Sequence, residues 1–403
     1  MDKPAILGGK PVFSGDKSVP ILRPTLPKIE SLLPQLRKSF SSGQITNASN
    51  VKRFEELSAQ YLGVRHCVAV SSCTAGLILV HKCLGLKGEV IVPSFTFHAT
   101  AHSLLWNNLK PIFVDCREDT FNIDEKRIEG SITKNTSTIL AVYLYGNPPD
   151  VEKLQRIADR HGLKLIFDSA HAFGSRFKGA MAGRFGDAEV FSLSPTKLLI
   201  SGEGGIVATN DKTLADRLKV ARNYGDSGNY DCAFNGLNAR MAEFNAILGI
   251  EGLKMLDKKI KRRNDIAQIY TDFFKNFDGI TFQEVERGNL STFKDYSILI
   301  DPDKLGIDRD VLAIALGREN ISTRKYFYPP VHMQKAYRLY NNIRLEVTER
   351  LSKRVLSLPI YYSLTDKIVD RISYAFTRIF EYKDEIKERL KDGKEYKGYN
   401  NKP

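Results

Sequence analysis

Leu163-Lys164-Leu165-Ile166-Phe167-Asp168-Ser169-Ala170-His171 decides how this chain reads. The apolar run lacks the strict alternation of a half-exposed strand and ends on a carboxylate. A strand of this kind is buried on both faces, as in a parallel sheet covered by helices. Comparable runs stand at 90–93, 111–116, 138–145, 190–194 and 205–209. Helix-like segments fall between or beside them, at 51–62, 74–84, 99–106, 151–161 and 211–222. The rhythm predicts an α/β fold: a large domain over 51–250 with a mostly parallel sheet sandwiched by helices.

Outward from that region the pattern changes. Residues 1–50 are rich in Pro, Gly, Ser and Lys and read as an N-terminal arm with one helix near 28–39. Residues 241–274 read as long helical segments broken near Asp257. The stretch 251–403 reads as a smaller C-terminal α+β domain, with strands at 279–282 and 296–300 and helices at 309–318, 347–356 and 366–391. The polar tail 394–403 reads as frayed. A chain of 403 residues suits two or three domains.

Composition narrows the function classes. With 42% hydrophobic and 27% charged residues the chain is an ordinary globular one. Five cysteines without a Cys-x-x-Cys pair favour neither a disulfide framework nor a zinc ribbon, so no metal is expected and a reducing cytoplasm is the expected location. No apolar run approaches the ~18 residues of a membrane span. The net charge of +13 attracts polyanions. The basic residues are dispersed, however, and their densest stretch, 254–263, reads as a solvated helix face. A small phosphorylated ligand fits that charge better than nucleic acid does.

In an open parallel sheet, ligands gather beyond the carboxyl ends of the strands. Asp168 and His171 follow one run, and Ser192 and Lys197 follow another, ahead of Gly202-Glu203-Gly204-Gly205. Ser71-Ser72-Cys73-Thr74 opens a helix, and Phe97 follows the run at 90–93. Singly, each has a plain structural reading: surface lysine, helix cap, core ring, turn. Together they match pyridoxal 5′-phosphate (PLP) chemistry. Lys197 supplies an amine that condenses with the aldehyde, provided the site favours its uncharged form. Asp168 keeps the pyridine nitrogen protonated, so that the ring withdraws electrons. First-turn N–H groups of Cys73 and Thr74, with the hydroxyls of Thr74 and Ser192, cradle the phosphate. Phe97 offers a flat face to the ring.

The chain resembles the nucleotide-sugar aminotransferases of the DegT/StrS type, which are fold type I PLP enzymes. The resemblance runs from about residue 25 to 373. It rests on Ser192-Leu193-Ser194-Pro195-Thr196-Lys197 with Gly202–Gly205, on Asp168-Ser169-Ala170-His171-Ala172-Phe173-Gly174, on Gly236-Leu237-Asn238-Ala239-Arg240-Met241, and on Tyr328-Pro329-Pro330-Val331-His332. Ser194 and Pro195 replace the usual His and small residue before the lysine, and Tyr143 stands where histidine is common.

The resemblance implies that Lys197 carries the cofactor, Asp168 binds its ring nitrogen and His171 lies near its phenolic oxygen. It implies that Asn238 reaches the cofactor phosphate of a neighbouring subunit, so that a homodimer shares its active sites. His332, with Thr46 and Asn47, would line the sugar-nucleotide site. Related sugar dehydratases carry histidine in place of the lysine, so Lys197 argues for transamination. The expected reaction is ping-pong. Glutamate donates its amino group, the pyridoxamine 5′-phosphate form carries it, and a nucleotide-diphosphate-linked keto-6-deoxyhexose receives it. The wording around Asp168 resembles the subgroup acting at C4 of dTDP-4-keto-6-deoxyglucose. A C3-keto, GDP- or UDP-linked sugar or a keto-inositol is the alternative within the same chemistry. A PLP-binding regulator without turnover is the alternative outside it, and the intact Lys197/Asp168/Asn238 set speaks against it.

Overall fold

The computed structural model describes residues 2–14, 18–340 and 343–391, and the tail expected to fray lies outside them. The helices run α1 (Ile29–Ser42), α2 (Ser49–Leu62), α3 (Cys73–Cys83), α4 (His98–Leu105), α5 (Val151–His161), α6 (Lys212–Ala221), α7 (Glu243–Leu253) and α8 (Leu256–Phe274). They continue with α9 (Pro302–Leu305), α10 (Arg309–Arg318), α11 (Glu346–Arg354), α12 (Asp366–Glu381) and α13 (Lys383–Lys391). The strands are β1 (His66–Val70), β2 (Glu89–Pro93), β3 (Lys110–Val114), β4 (Thr136–Val142), β5 (Lys164–Asp168), the short pair β6 (Arg176–Phe177) and β7 (Ala180–Met181), β8 (Ala188–Ser192) and β9 (Gly205–Thr209). In the C-terminal part they are β10 (Ile280–Phe282), β11 (Tyr296–Ile300) and β12 (Val355–Leu358).

A seven-stranded sheet of order β1-β9-β8-β5-β4-β2-β3 forms the centre of the molecule. The strands from β3 to β8 run parallel, and β9 runs antiparallel to both of its neighbours, β8 and β1. The sheet is mixed at this edge because residues 193–204 carry no helix. Without a crossover helix the chain can only return antiparallel to β8. Strand β1 has no counterpart in the sequence reading. Its five residues include His66 and Cys67, which dilute the apolar run, and pairing to β9 supplies what the pattern lacks.

Register brings the chemistry to one edge. Asp168, the last residue of β5, lies between Val142 at the end of β4 and Val190 on β8. Gly205 opens β9 opposite both Val70 and Ser192, the ends of β1 and β8. Helix α3 follows β1 directly. The Ala75 N–H donates to Ser72 Oγ at 3.1 Å, which fixes where the helix begins.

The smaller sheet, β10-β11-β12, is antiparallel. Its third strand takes the last two residues of the helix read over 347–356; α11 stops at Arg354 and Val355–Leu358 pairs with β11. The helix read over 366–391 is two helices that meet at Tyr382, and the break read near Asp257 falls at Lys254–Met255. The start of the N-terminal arm is a packed part of the smaller unit. Ile6, Phe13 and Val19 lie in one apolar core with Ile298, Leu312 and Phe376. Buried Glu319 accepts from the N–H groups of Ala5 and Val12 at 2.9 and 2.7 Å and pairs with Arg378 at 2.9 Å. Helix α8 joins the two cores: Leu256 and Ile260 pack under the large sheet, while Ile266, Tyr270 and Phe274 pack into the smaller unit.

Candidate active site

A cavity of about 350 Å³ opens at the carboxyl edge of the large sheet. Seven of the residues singled out in the sequence line it: Cys73, Thr74, Phe97, Asp168, His171, Ser192 and Lys197. Asp168 is buried, with Oδ2 accepting from Thr100 Oγ1 at 2.7 Å and Oδ1 accepting from the Ala170 N–H at 3.1 Å. Burial raises its carboxyl above the usual range, opposed by those hydrogen bonds and by the charge of Lys197. Burial lowers Lys197 to about 8, helped by the Lys294 ammonium and opposed by Asp295, Cys73 and Asp168. A buried lysine shifted in this way releases its proton readily, as a nucleophilic amine must.

His171 accepts at Nδ1 from the Tyr145 N–H at 3.2 Å, which leaves Nε2 as the protonated nitrogen of a neutral ring. Burial and the two lysines hold it well below its ordinary pKa. Phe97 is 48% exposed at the start of α4, with its ring centroid 6.2 Å from that of Phe327. The hydroxyls of Ser192, Ser194 and Thr196 stand in a row, 3.5 and 3.3 Å apart, leading to Lys197.

The donor set fits PLP. Cys73 and Thr74 stand in the first turn of α3, where N–H groups meet no intrahelical carbonyl. A Cβ on Gly205 would come within 2.7 Å of the Cys73 nitrogen, so only glycine leaves room at this cradle. Lys197, Asp168 and the helix N-terminus thus face one space, as an aldehyde, a pyridine nitrogen and a phosphate on a single small molecule require.

Four residues from the sequence reading lie off the cavity wall. Asn238 is exposed on the segment that bridges to Asn223. Thr46 and Asn47 are held by Met241: Asn47 N–H and Thr46 Oγ1 both donate to the Met241 carbonyl, at 3.0 and 3.3 Å. His332, expected at the sugar-nucleotide site, is not among the residues lining this cavity. It is 1% exposed and its Nδ1 shares a 2.6 Å hydrogen bond with Ser94 Oγ, so within this chain it braces the segment after β2 and does not line the pocket. Tyr143 is also core, stacked edge-on against Phe167 below the sheet.

Sequence reasoning missed Thr100, Lys294, Tyr326 and Phe327. Thr100 orients Asp168, and the other three close the cavity from the smaller unit. A lysine and an aspartate side by side ahead of β11 were the only signal for Lys294, and nothing local links that dipeptide to Lys197.

Residues 28–377 match the DegT/DnrJ/EryC1/StrS aminotransferase family. The chain belongs to this family. It is 36% identical over 366 residues to a dTDP-4-amino-4,6-dideoxy-D-glucose transaminase of Escherichia coli, covering 89% of this chain and 98% of that one. It is 33% identical over 346 residues to a dTDP-3-amino-3,6-dideoxy-alpha-D-galactopyranose transaminase of Aneurinibacillus thermoaerophilus, covering 85% and 93%. Among solved structures, DesI in the presence of its TDP-sugar product superimposes with a TM-score of 0.91 at 36% identity, covering 97% of this chain and 99% of that one. The protein is a PLP-dependent aminotransferase of nucleotide sugars with the fold type I architecture. No helix among the described residues is long and apolar enough to cross a membrane.

Proposed function

We propose that this aminotransferase moves the amino group of glutamate to C4 of dTDP-4-keto-6-deoxyglucose. The observation that carries the chemistry is the single cavity shared by Lys197, Asp168 and the N-terminus of α3. The choice of C4 is supported by the likeness to the Escherichia coli transaminase and to DesI. The likeness to a transaminase whose product is a 3-amino sugar supports C3 as the second reading.

When bound, PLP supplies an aldehyde carbon that carries the amino group and a ring that accepts the electrons left when a carbon loses its proton. The protein's own groups do the rest. Asp168, fixed by Thr100 and Ala170, would hold its carboxylate at the ring nitrogen. Cys73, Thr74 and Ser192 would hold the phosphate. Neutral His171 would offer its Nε2–H to the phenolic oxygen. Lys197, uncharged once displaced, takes the proton from the donor's α-carbon, and in the reverse sequence gives one to the sugar carbon that becomes the amine.

We propose further that the enzyme works as a homodimer with Asn238 reaching the neighbouring subunit's cofactor phosphate and Thr46 and Asn47 reaching its substrate. Exposed Phe40, Ile45, Leu237 and Phe244 flank these residues, and Phe40 stacks on Phe244 at 5.4 Å. An apolar surface of that kind is what a second copy covers. The domain limits at 50 and 250 and a cytoplasmic location complete the reading; five free cysteines suit a reducing compartment.

The test is direct. Purified enzyme with PLP and glutamate is offered dTDP-, GDP- and UDP-linked 4-keto and 3-keto deoxysugars, and products are read by mass spectrometry and NMR. The C4 amine from the dTDP-4-keto sugar is the expected product. Exclusive amination at C3, or of a GDP- or UDP-linked sugar, would displace the substrate assignment.

A further inference from the structure

Lys294 is buried to 7% exposure on the cavity wall and belongs to none of the motifs that first drew attention. Its backbone is clamped: its N–H donates to the Tyr145 carbonyl at 2.8 Å, and its own carbonyl accepts from Arg263 Nη1 at 2.6 Å. Its ammonium lies 2.9 and 3.1 Å from the two Asp295 oxygens and 5.2 Å from the centre of the Tyr326 ring. Asp295 takes part of the three-donor capacity of this ammonium and leaves the rest for a ligand. Buried Arg263 stands behind the pair, so Arg263, Lys294 and Asp295 together carry one positive charge in excess.

The reaction needs that charge. An amino-acid donor enters with an α-carboxylate, and a carboxylate in a dry cavity is costly without a cationic partner. Among the described residues lining the cavity, the lysines are Lys197 and Lys294, and no arginine lines it. Lys197 is committed to the cofactor and His171 is neutral.

We propose that Lys294 is the donor-carboxylate contact of this site, acting in the glutamate half of the reaction and not in the sugar half. The inference rests on the aminotransferase reading above, but not on which sugar is aminated. Asp295 orients the ammonium, and Tyr326 closes the pocket over it.

The glutamate half-reaction tests this without any sugar. Enzyme loaded with PLP is mixed with glutamate, and the loss of visible absorbance is followed together with release of one equivalent of 2-oxoglutarate. Lys294→Met should lower kcat/KM for glutamate about 10- to 100-fold, the loss of one hydrogen bond to a charged group, with KM carrying most of it. Lys294→Arg should recover much of the loss. In Lys294→Met the sugar half-reaction, started from enzyme loaded with pyridoxamine phosphate, should lose clearly less than the glutamate half, and what it does lose reflects the ammonium removed from beside Lys197. Glutarate, which carries no amine, serves as a binding probe by calorimetry on the cofactor-free protein. Its Kd should rise about 10-fold or more in Lys294→Met and in Lys294→Gln, whichever variant folds. Unchanged glutamate kinetics, equal losses in both halves, or glutarate binding indifferent to position 294 would each overturn the proposal. Failure of every keto sugar with the wild-type enzyme would refute the substrate assignment and leave the glutamate half-reaction as a test of Lys294.

Discussion

Two regions of this molecule bury polar side chains and use them differently. At the edge of the large sheet, buried Asp168 and half-buried His171 and Lys197 line a cavity. Around residues 331–337, His332 and Tyr337 are buried around their neighbours: His332 on Ser94 at 2.6 Å and Tyr337 Oη on His102 Nδ1 at 2.5 Å. Burial lowers the pKa of His332 as it lowers that of His171. A perturbed pKa therefore does not separate the two regions. The cavity does, because chemistry needs room for a second molecule, whereas a brace needs only its partner.

That contrast can be broken or sharpened by experiment. Lys197→Ala should abolish the visible absorbance of bound PLP and reduce kcat roughly 10⁴-fold or more, because no other amine replaces a lost carrier and proton-transfer group. Residual activity near wild type would remove Lys197 from the reaction. Asp168→Asn should retain cofactor weakly and cost roughly 10²- to 10³-fold in kcat, comparable with losing one preorganised electrostatic contact. Wild-type kinetics in that variant would dissociate the carboxylate from the ring nitrogen.

The third expectation concerns pH. Lys197 is held to about 8, so its reactive uncharged form becomes scarcer below that pH. The rate at which cofactor-free protein captures PLP should rise about tenfold per pH unit below 8 and level off above it. A rate still climbing through pH 10, as for a lysine in water, would mean that the cavity does not perturb the amine. Next, Asn238→Ala protein should lose PLP more readily than wild type. Exchanged with Lys197→Ala subunits, it should regain roughly a quarter of wild-type activity, since half the dimers are mixed and each mixed dimer has one intact shared site. No recovery under verified subunit exchange would mean that each subunit holds its cofactor alone.

The smallest effect belongs to the brace. His332→Ala should cost about 1–3 kcal/mol of stability through the loss of a buried hydrogen bond and lower the melting midpoint by several degrees. KM for the sugar should stay put. A raised KM with an unchanged melting midpoint would return His332 to the substrate site.

Sequence reading succeeded where a signal is local. Non-alternating runs marked β2, β3, β4, β5, β8 and β9, and residues just past several of them marked the cavity, because a parallel sheet exposes its loops at one edge. It failed where pairing or packing decides. The His66–Val70 run is too short and mixed to declare itself until β9 lies beside it. Residues 355–356, read as the end of the helix, became part of β12 because β11 offers open hydrogen bonds. Ile6, Phe13 and Val19 lie in a stretch with the composition of a loose arm, yet they fill the smaller core.

By itself the sequence picked out the pair on which the proposed chemistry rests, since an amine at 197 and a carboxylate at 168 stand at the ends of strands whose apolar runs fix where they end. Tertiary structure alone decided what surrounds that pair. Lys294 comes to the cavity, and Thr100 to the carboxylate of Asp168, from distant parts of the chain, while His332 is buried against Ser94. Such placements depend on which surfaces meet when the smaller unit packs against the sheet edge, and no periodicity along the chain encodes that meeting.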